Sequence, residues 1–393
     1  MSIVIFGDLF KFPEGNAATN RVYTYAKGFR ENGVSVHVIC FGNEYVDTIR
    51  GEFEGIQFYY AFAQKTRSHS FFARRWQKFV KYFRAWSIIR QINKTDKISA
   101  INSWTNFLGV HVFAWILAKL AGTKLFVECS EHPYRFYQGS AWKRFQGKLK
   151  FFIEARLCDG VLCISEYLVD FYRQRGTPEK KLFLVPSTVD PARFREAGSP
   201  PLSYRYIGYF GSLTFKRDSV DSLIKAFAKF SPRHPEIHLV LGGFSPEEEK
   251  KNISELIHKM ELLPKVKVID YMKRNEITTY ISHADVLVMA RSKDLESMAS
   301  YPSKLTEFLA TSKPVLTVNV GEVANYLTDN VNAFIVEQGD VDAMAGKMNY
   351  ILDNYDKARI VGQKGRELTE GIFNYNYQAK RILRFFDSIS HKN

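Results

Sequence analysis

Short runs rich in Val, Ile, Leu and Phe alternate with stretches of helical spacing along the chain, and past its middle the alternation starts afresh. This is the pattern of an open parallel sheet with helices on both faces, because parallel neighbours need a crossover and a helix is the usual one. The expected strands of the first half are Ser2–Phe6, Ser35–Cys40, Ile56–Tyr60, Ala100–Asn102, Lys124–Cys129, Gly160–Ile164 and Leu182–Val185. Between them Ala17–Asn32, Phe71–Asn93, Asn106–Leu120, Ala141–Leu157 and Glu166–Gly176 read as helices. In the second half Ile207–Phe210, His238–Leu241, Lys267–Asp270, Asp285–Met289, Pro314–Thr317 and Ala333–Val336 read as strands, again separated by helices. The expected fold class is α/β, with two doubly wound Rossmann-like domains facing across a cleft. Their expected spans are 1–195 and 203–372, joined by a Pro- and Gly-containing linker from Asp190 to Leu202. A helix expected over about 373–393 is placed to pack back onto the first domain. Ligands in such sheets bind beyond the carboxyl ends of the strands.

With 393 residues, 46% of them hydrophobic, the chain has material for two cores, and disorder is excluded. Cys40, Cys129, Cys158 and Cys163 stand singly without CxxC spacing, so reduced thiols of a cytoplasmic protein are expected rather than a zinc site. No basic segment precedes the first apolar run, so no signal peptide is expected there. The longest apolar run, Phe107 to Gly122, contains His111 and Lys119 and is too short to span a bilayer.

The net charge of +14 is lopsided: residues 1–200 hold 29 basic and 17 acidic side chains. Within residues 65–97 ten basic residues stand against Asp96 alone, among seven aromatics. Trp76, Phe79, Val80 and Phe83 share one helical face, flanked by Arg74, Arg75, Lys78, Lys81 and Arg84. Such a helix suits an anionic membrane surface, with rings in the acyl boundary and cations among head groups; the alternative is a surface helix with its stripe in the core. Residues 135–150 repeat the composition with Arg135, Phe136, Tyr137, Trp142, Lys143, Arg144, Phe145, Lys148 and Lys150. No nucleic-acid-binding motif accompanies the charge, so no nucleic-acid partner is expected.

Three segments carry chemistry. Phe12-Pro13-Glu14-Gly15-Asn16-Ala17-Ala18 opens the first helix with small residues, where unpaired N–H groups suit a phosphate or sugar hydroxyl. It lacks the GxGxxG spacing of a dinucleotide site. Gly211-Ser212-Leu213-Thr214-Phe215-Lys216-Arg217 follows the first strand of the second half, with a glycine for close approach and two cations for a diphosphate. Tyr301-Pro302-Ser303-Lys304-Leu305-Thr306-Glu307 begins a late helix. There Ser303 can cap, Lys304 adds charge and Glu307 lies one turn on; phosphates at the helix start with ribose on Glu307, or a plain capping box, both fit this spacing.

The order of these segments resembles the GT-B-fold retaining glycosyltransferases of family four, which use nucleotide sugars and in bacteria build surface glycans. Pro186-Ser187-Thr188-Val189-Asp190…Phe194 looks like the family's P-N-G-V-D…F segment. Glu307-Phe308-Leu309-Ala310-Thr311-Ser312-Lys313-Pro314-Val315 looks like its E-A-M-A-x-G-x-P-V signature. The resemblance implies ribose on Glu307, phosphates or sugar on Gly15, Asn16, Gly211, Ser212, Ser303, Lys304 and Leu305, phosphates on Lys216 and Arg217, and the base beside Tyr271 and Met272. It places His132 and Glu131 by the transferred sugar, which with Lys216 form the expected catalytic set. It further implies a UDP- or GDP-sugar donor, a lipid-linked or glycan acceptor, no required cofactor or metal, and a cytoplasmic protein held peripherally at the membrane. The chain departs from the family at Ser212, where many members have Arg, and at Ala299, which stands where the first Glu of an E-x7-E pair is usual. A nucleotide-sugar epimerase on the same architecture and a non-catalytic partner protein are the competing readings.

Overall fold

A computed structural model of the chain describes residues 2–133, 137, 139–195, 198–270 and 272–390, which form two compact units. The first runs to Thr188 and takes the chain back from Tyr375; the second is Val189–Asn374. In the first unit the order is β1 (Ser2–Gly7), α1 (Ala17–Glu31), β2 (Ser35–Cys40), β3 (Arg50–Phe53), β4 (Ile56–Tyr60), α2 (Phe71–Thr95), β5 (Ile98–Trp104), α3 (Leu108–Ala121), β6 (Lys124–Cys129), α4 (Ala141–Arg156), β7 (Gly160–Cys163), α5 (Glu166–Arg173) and β8 (Leu182–Leu184). The second holds β9 (Tyr206–Phe210), α6 (Phe215–Asp218), α7 (Val220–Phe230), β10 (His238–Gly242), α8 (Glu247–Lys259), β11 (Val266–Ile269), α9 (Arg274–His283), β12 (Val286–Met289), α10 (Leu295–Met298), α11 (Ser303–Leu309), β13 (Val315–Val318), α12 (Val323–Tyr326), β14 (Phe334–Val336), α13 (Val341–Asp353) and α14 (Tyr355–Glu370). Last comes α15 (Tyr375–Ser390), which belongs to the first unit.

The sheets run β3-β4-β2-β1-β5-β6-β7-β8 and β11-β10-β9-β12-β13-β14. All the pairings are parallel except β3 with β4, a hairpin at the edge that alternation alone did not reveal. Side chains of β1 split between two cores. Ile3 and Ile5 pack with α1 and α15, whereas Val4 and Phe6 pack with α2 and α3. Both faces of the sheet are thus covered, which is why its strands read as unbroken apolar runs. Phe386 of α15 stacks on Phe126 of β6 with ring centroids 3.9 Å apart.

The segment expected to be a linker is not a free tether. Val189 donates its N–H to Phe373 O at 2.9 Å, and Phe194 is buried in the core of the second unit. The division therefore falls at Thr188/Val189, ahead of the expected linker, because an aromatic side chain had a core to enter.

Ion pairs are also buried in the first unit. Lys150 and Glu154 pair on α4, and Tyr172 donates to Glu154 Oε2 at 2.8 Å. His111 lies in the same region, fully buried, with Nε2 3.2 Å from Cys158 Sγ. Burial lowers its pKa to about 4 from 6.5, against the opposing pull of Glu154. Between those pH values the unfolded chain binds the extra proton, so stability is complete above about 6.5 and is lost as pH falls toward 4. The expected loss is about 3 kcal/mol at most. Urea midpoints measured against pH should fall less steeply across this window in His111→Gln than in the parent; parallel curves would remove the assignment.

Candidate active site

The second unit gathers its polar groups where strand order reverses, between β9 and β12, the position at which doubly wound sheets hold ligands. After β9, Gly211 donates its N–H to Gly242 O at 2.8 Å. A Cβ on Gly211 would lie 2.7 Å from Lys304 Nζ, so this ammonium rests against bare backbone. Gly243, at φ 138°, supports Gly211 from behind, and a Cβ there would strike the Gly211 carbonyl oxygen. Only glycine takes that φ readily and permits that approach.

Arg291 follows β12 and is 9% exposed. Its Nε donates to Ser297 Oγ at 2.8 Å and its Nη2 to Ser300 Oγ at 2.9 Å. Burial lowers the pKa of Lys304, which is further opposed by Arg217 and Arg291 and supported by Asp218 and Glu307. Arg291 is lowered in the same way by burial and Arg217. Three cations within electrostatic reach of one another, Arg291 buried and Lys304 half-buried, are costly unless anions neutralise them. Asp218, held by Thr214 Oγ1 at 2.7 Å, Glu296, 4.0 Å from Arg217 Nε, and Asp294 answer part of this charge. Cations gathered in this way suit the phosphates of a ligand.

Sequence and structure agree unevenly here. Gly211 and Lys304 meet, and Arg217 stands beside them on α6. Lys216 is exposed on the same helical turn. Ser212 is half-buried, its carbonyl accepting from Tyr209 OH at 3.0 Å. Ser303 does not cap α11; Pro302 occupies the N-cap without a side-chain cap bond, and Ser303 O accepts from Thr306 Oγ1 at 2.6 Å. Glu307 faces Arg193, 3.7 Å from its Nη1. Leu305 has its side chain in the core and its N–H on Pro302 O. The Met272 side chain is also in the core and lies over Gly242. Tyr271 lies outside the described residues, as do Arg135 and Phe136. Arg291, Asp218 and Gly243 were missed; a cation just after the apolar run Val286–Met289 was the available signal for Arg291.

His132 and Glu131 follow β6 in the first unit. The His132 ring packs edge-on against Phe171, centroids 4.9 Å apart, and burial with the charge of Arg175 lowers its pKa, so it is neutral at pH 7. Glu131 Oε2 accepts from Asn106 Nδ2 at 3.2 Å. Asn16 caps α1, with Oδ1 accepting from Thr19 N at 3.1 Å, and a Cβ on Gly15 would strike Thr19 Oγ1.

Residues 192–368 match the family described as "Glycosyl transferases group 1", and residues 18–193 match "Glycosyltransferase Family 4". Together the two matches take in nearly the whole chain. It belongs to the GT-B glycosyltransferases of the family-four type. The chain is 26% identical over 53% of its length to the uncharacterized glycosyltransferase YqgM of Bacillus subtilis, and spans 56% of that protein. It is 24% identical over 58% of its length to a GDP-mannose-dependent alpha-(1-6)-phosphatidylinositol monomannoside mannosyltransferase of Mycobacterium tuberculosis, and spans 61% of it. Its fold is similar to that of Anabaena HepE solved in complex with UDP, with a TM-score of 0.70, 15% identity, and coverage of 99% of this chain and 100% of that one.

Many of the aromatic residues of α2 and α4 lie outside the cores. On α2, Trp76 is 65% exposed, Phe79 53% and Phe83 57%, which overturns the reading of this stripe as core. Arg75 and Lys78 are exposed beside them. Lys81 is instead turned inward, its Nζ donating to Phe41 O at 3.0 Å, and Arg84 donates to Phe62 O at 2.8 Å, so these two cations face the protein. On α4, Trp142, Phe145 and Phe152 are exposed with Lys143, Arg144 and Lys148, while Lys150 is buried against Glu154. Tyr137 is buried, its hydroxyl donating to Asn106 O at 2.6 Å. No helix among the described residues is long and apolar enough to cross a membrane.

Proposed function

We propose that this glycosyltransferase moves a hexose from a UDP- or GDP-sugar to a lipid-linked or glycan acceptor at an anionic membrane face in the cytoplasm, retaining anomeric configuration and needing no metal. The observation that carries the reading is Lys304 held against Gly211 within electrostatic reach of Arg291 and Arg217. Cleavage of the sugar–phosphate bond leaves positive charge at the anomeric carbon and negative charge on the departing diphosphate. Side-chain cations already in place would stabilise that diphosphate without reorganisation. The acceptor oxygen forms the new bond on the face the phosphate leaves, and its proton passes to a phosphate oxygen. Glu307 would accept from the ribose hydroxyls, and neutral His132 would face the sugar with Glu131 beside it. A UDP-bound relative of the same fold and a relative named for GDP-mannose both support a nucleotide-sugar donor.

Titration calorimetry with UDP and with GDP tests the donor assignment. One of them should bind, and Glu307→Ala should weaken it by about tenfold or more, the worth of a hydrogen bond to a charged group. Equal affinity in the variant removes the ribose role, and failure of both nucleotides removes the function. Release of nucleoside diphosphate should depend on acceptor; acceptor-independent turnover would favour an epimerase-like enzyme.

The exposed rings and cations of α2 and α4 support the membrane assignment, since lipid would cover apolar surface that water now meets. Changing Trp76, Phe79 and Phe83 together to Ser should abolish sedimentation with phosphatidylglycerol-containing liposomes. Unaltered sedimentation would refute it.

A further inference from the structure

Arg193 belongs to the segment that alternation alone leaves as a tether, yet its backbone is fixed. It lies on the single turn Pro191–Phe194, where Asp190 Oδ1 accepts from Ala192 N at 3.1 Å. Phe194 is buried in the core of the second unit and the Val189 N–H is bonded to Phe373 O, so the turn is pinned at both ends. From this mount Nη1 lies 3.7 Å from Glu307 Oε1, with the two side chains 19% and 15% exposed. Nη2 donates to Thr278 Oγ1 of α9 at 3.4 Å. One guanidinium therefore joins the start of the second unit to α9 and to α11.

Glu307 has a second cation to answer to. Lys304, one turn earlier on α11, feels its charge, and Lys304 is the group held against Gly211. Residues three apart on a helix are neighbours, so Lys304 and Glu307 are placed to pair. Such a pair would neutralise the ammonium and turn the carboxylate toward the phosphates. Helix capping does not claim Glu307: Pro302 is the N-cap, which puts Leu305 at the third helical position that a capping box uses. Arg193 pulls the other way. At 3.7 Å its attraction lies beyond hydrogen-bond length, so it orients the carboxylate without using one of the acceptor positions the oxygens offer. With both side chains largely out of water, that attraction exceeds what an exposed pair supplies.

We infer that Arg193 is the positioning residue for Glu307: it holds the carboxylate toward the ribose hydroxyls and leaves the Lys304 ammonium unquenched for the departing diphosphate. One bridge then serves both ends of the donor. The inference rests on the ribose role of Glu307 and the diphosphate role of Lys304 proposed above, and adds the group that keeps those roles apart.

The test is titration calorimetry on the full chain, with whichever of UDP and GDP binds and with its 2′,3′-dideoxy counterpart, which keeps base and diphosphate but lacks the hydroxyls. The parent should favour the ribonucleotide by about tenfold or more. Arg193→Gln should bring that ratio near one, and Arg193→Lys, which keeps the charge on a different stem, should fall between. Arg193→Gln should also weaken the dideoxy nucleotide about threefold, because Glu307 is then left to Lys304. Removing Glu307 as well, in Arg193→Gln/Glu307→Ala, should restore that affinity; a change that had merely loosened the fold would lose more with the second substitution, not less. A parent-like ratio in Arg193→Gln, or a dideoxy affinity that the second substitution does not restore, would overturn the inference. Should Arg193→Gln not fold, Arg193→Lys decides, and a parent-like ratio there overturns it. A ratio already near one in the parent, or one that Glu307→Ala leaves unchanged, would instead strike the ribose role of Glu307, and the inference with it.

Discussion

Lys304→Met is expected to lower kcat/KM for sugar transfer about 10²- to 10³-fold, the range found when one preorganised donor to a developing anion is removed. Lys304 is held against Gly211 with Arg217 and Arg291 nearby, and burial already lowers its pKa. In the resting protein its charge is thus a burden. Removing it should leave the melting temperature equal or higher, since an apolar side chain of similar length avoids the desolvation cost. Loss of activity together with unchanged or raised stability is the signature of a group present for a ligand. A variant that loses stability and keeps its rate would show Lys304 to be structural, and the donor site would have to be sought elsewhere. Steady-state kinetics beside a thermal melt separates the two.

Arg21→Met should be the most destabilising single change in the first unit, by about 3–5 kcal/mol, as for other buried pairs that lose one partner. Arg21 Nε donates to Glu128 Oε1 at 2.8 Å, with the two side chains 6% and 1% exposed. Its Nη1 and Nη2 donate at 2.7 Å to Pro186 O and Val185 O. One guanidinium thus ties α1 to β6 and to the chain leaving β8. Methionine leaves Glu128 charged and uncompensated and orphans two buried carbonyls. Arg21→Met/Glu128→Leu should recover much of the charge term, though not the carbonyl bonds. Urea unfolding of the two variants is the measurement; a loss below about 1 kcal/mol in Arg21→Met would show that water reaches the pair.

Arg21 and Arg291 illustrate what a linear reading misses. Arg21 sits in a helix that any periodicity argument finds, yet nothing near it in sequence marks it as buried, because Glu128 is 107 residues away. Arg291 looks like ordinary surface charge after a strand until Ser297 and Ser300 close on it. Conversely, Ser303, Lys304 and Leu305, grouped by the family resemblance, share the first turn of α11 but not one direction. A helix rotates neighbouring side chains by about 100° per residue, so Lys304 reaches Gly211 while Leu305 points to the core. The aromatic stripe of α2 was visible in its spacing, but whether it faced core or solvent depended on which face α3 and β5 covered, and Ala85, Ile89 and Ile92 took that place.

What the residues determined unaided was the architecture: unbroken apolar strands separated by helices leave a parallel sheet with both faces covered as the satisfactory burial, and the restart of the pattern imposed a second one. Where a unit begins, which cations meet and which carboxylates pair with them were decided only in three dimensions. Those properties belong to groups brought together from distant parts of the chain, and both the cost of burying a charge and the value of pairing it depend on distances that no local spacing encodes.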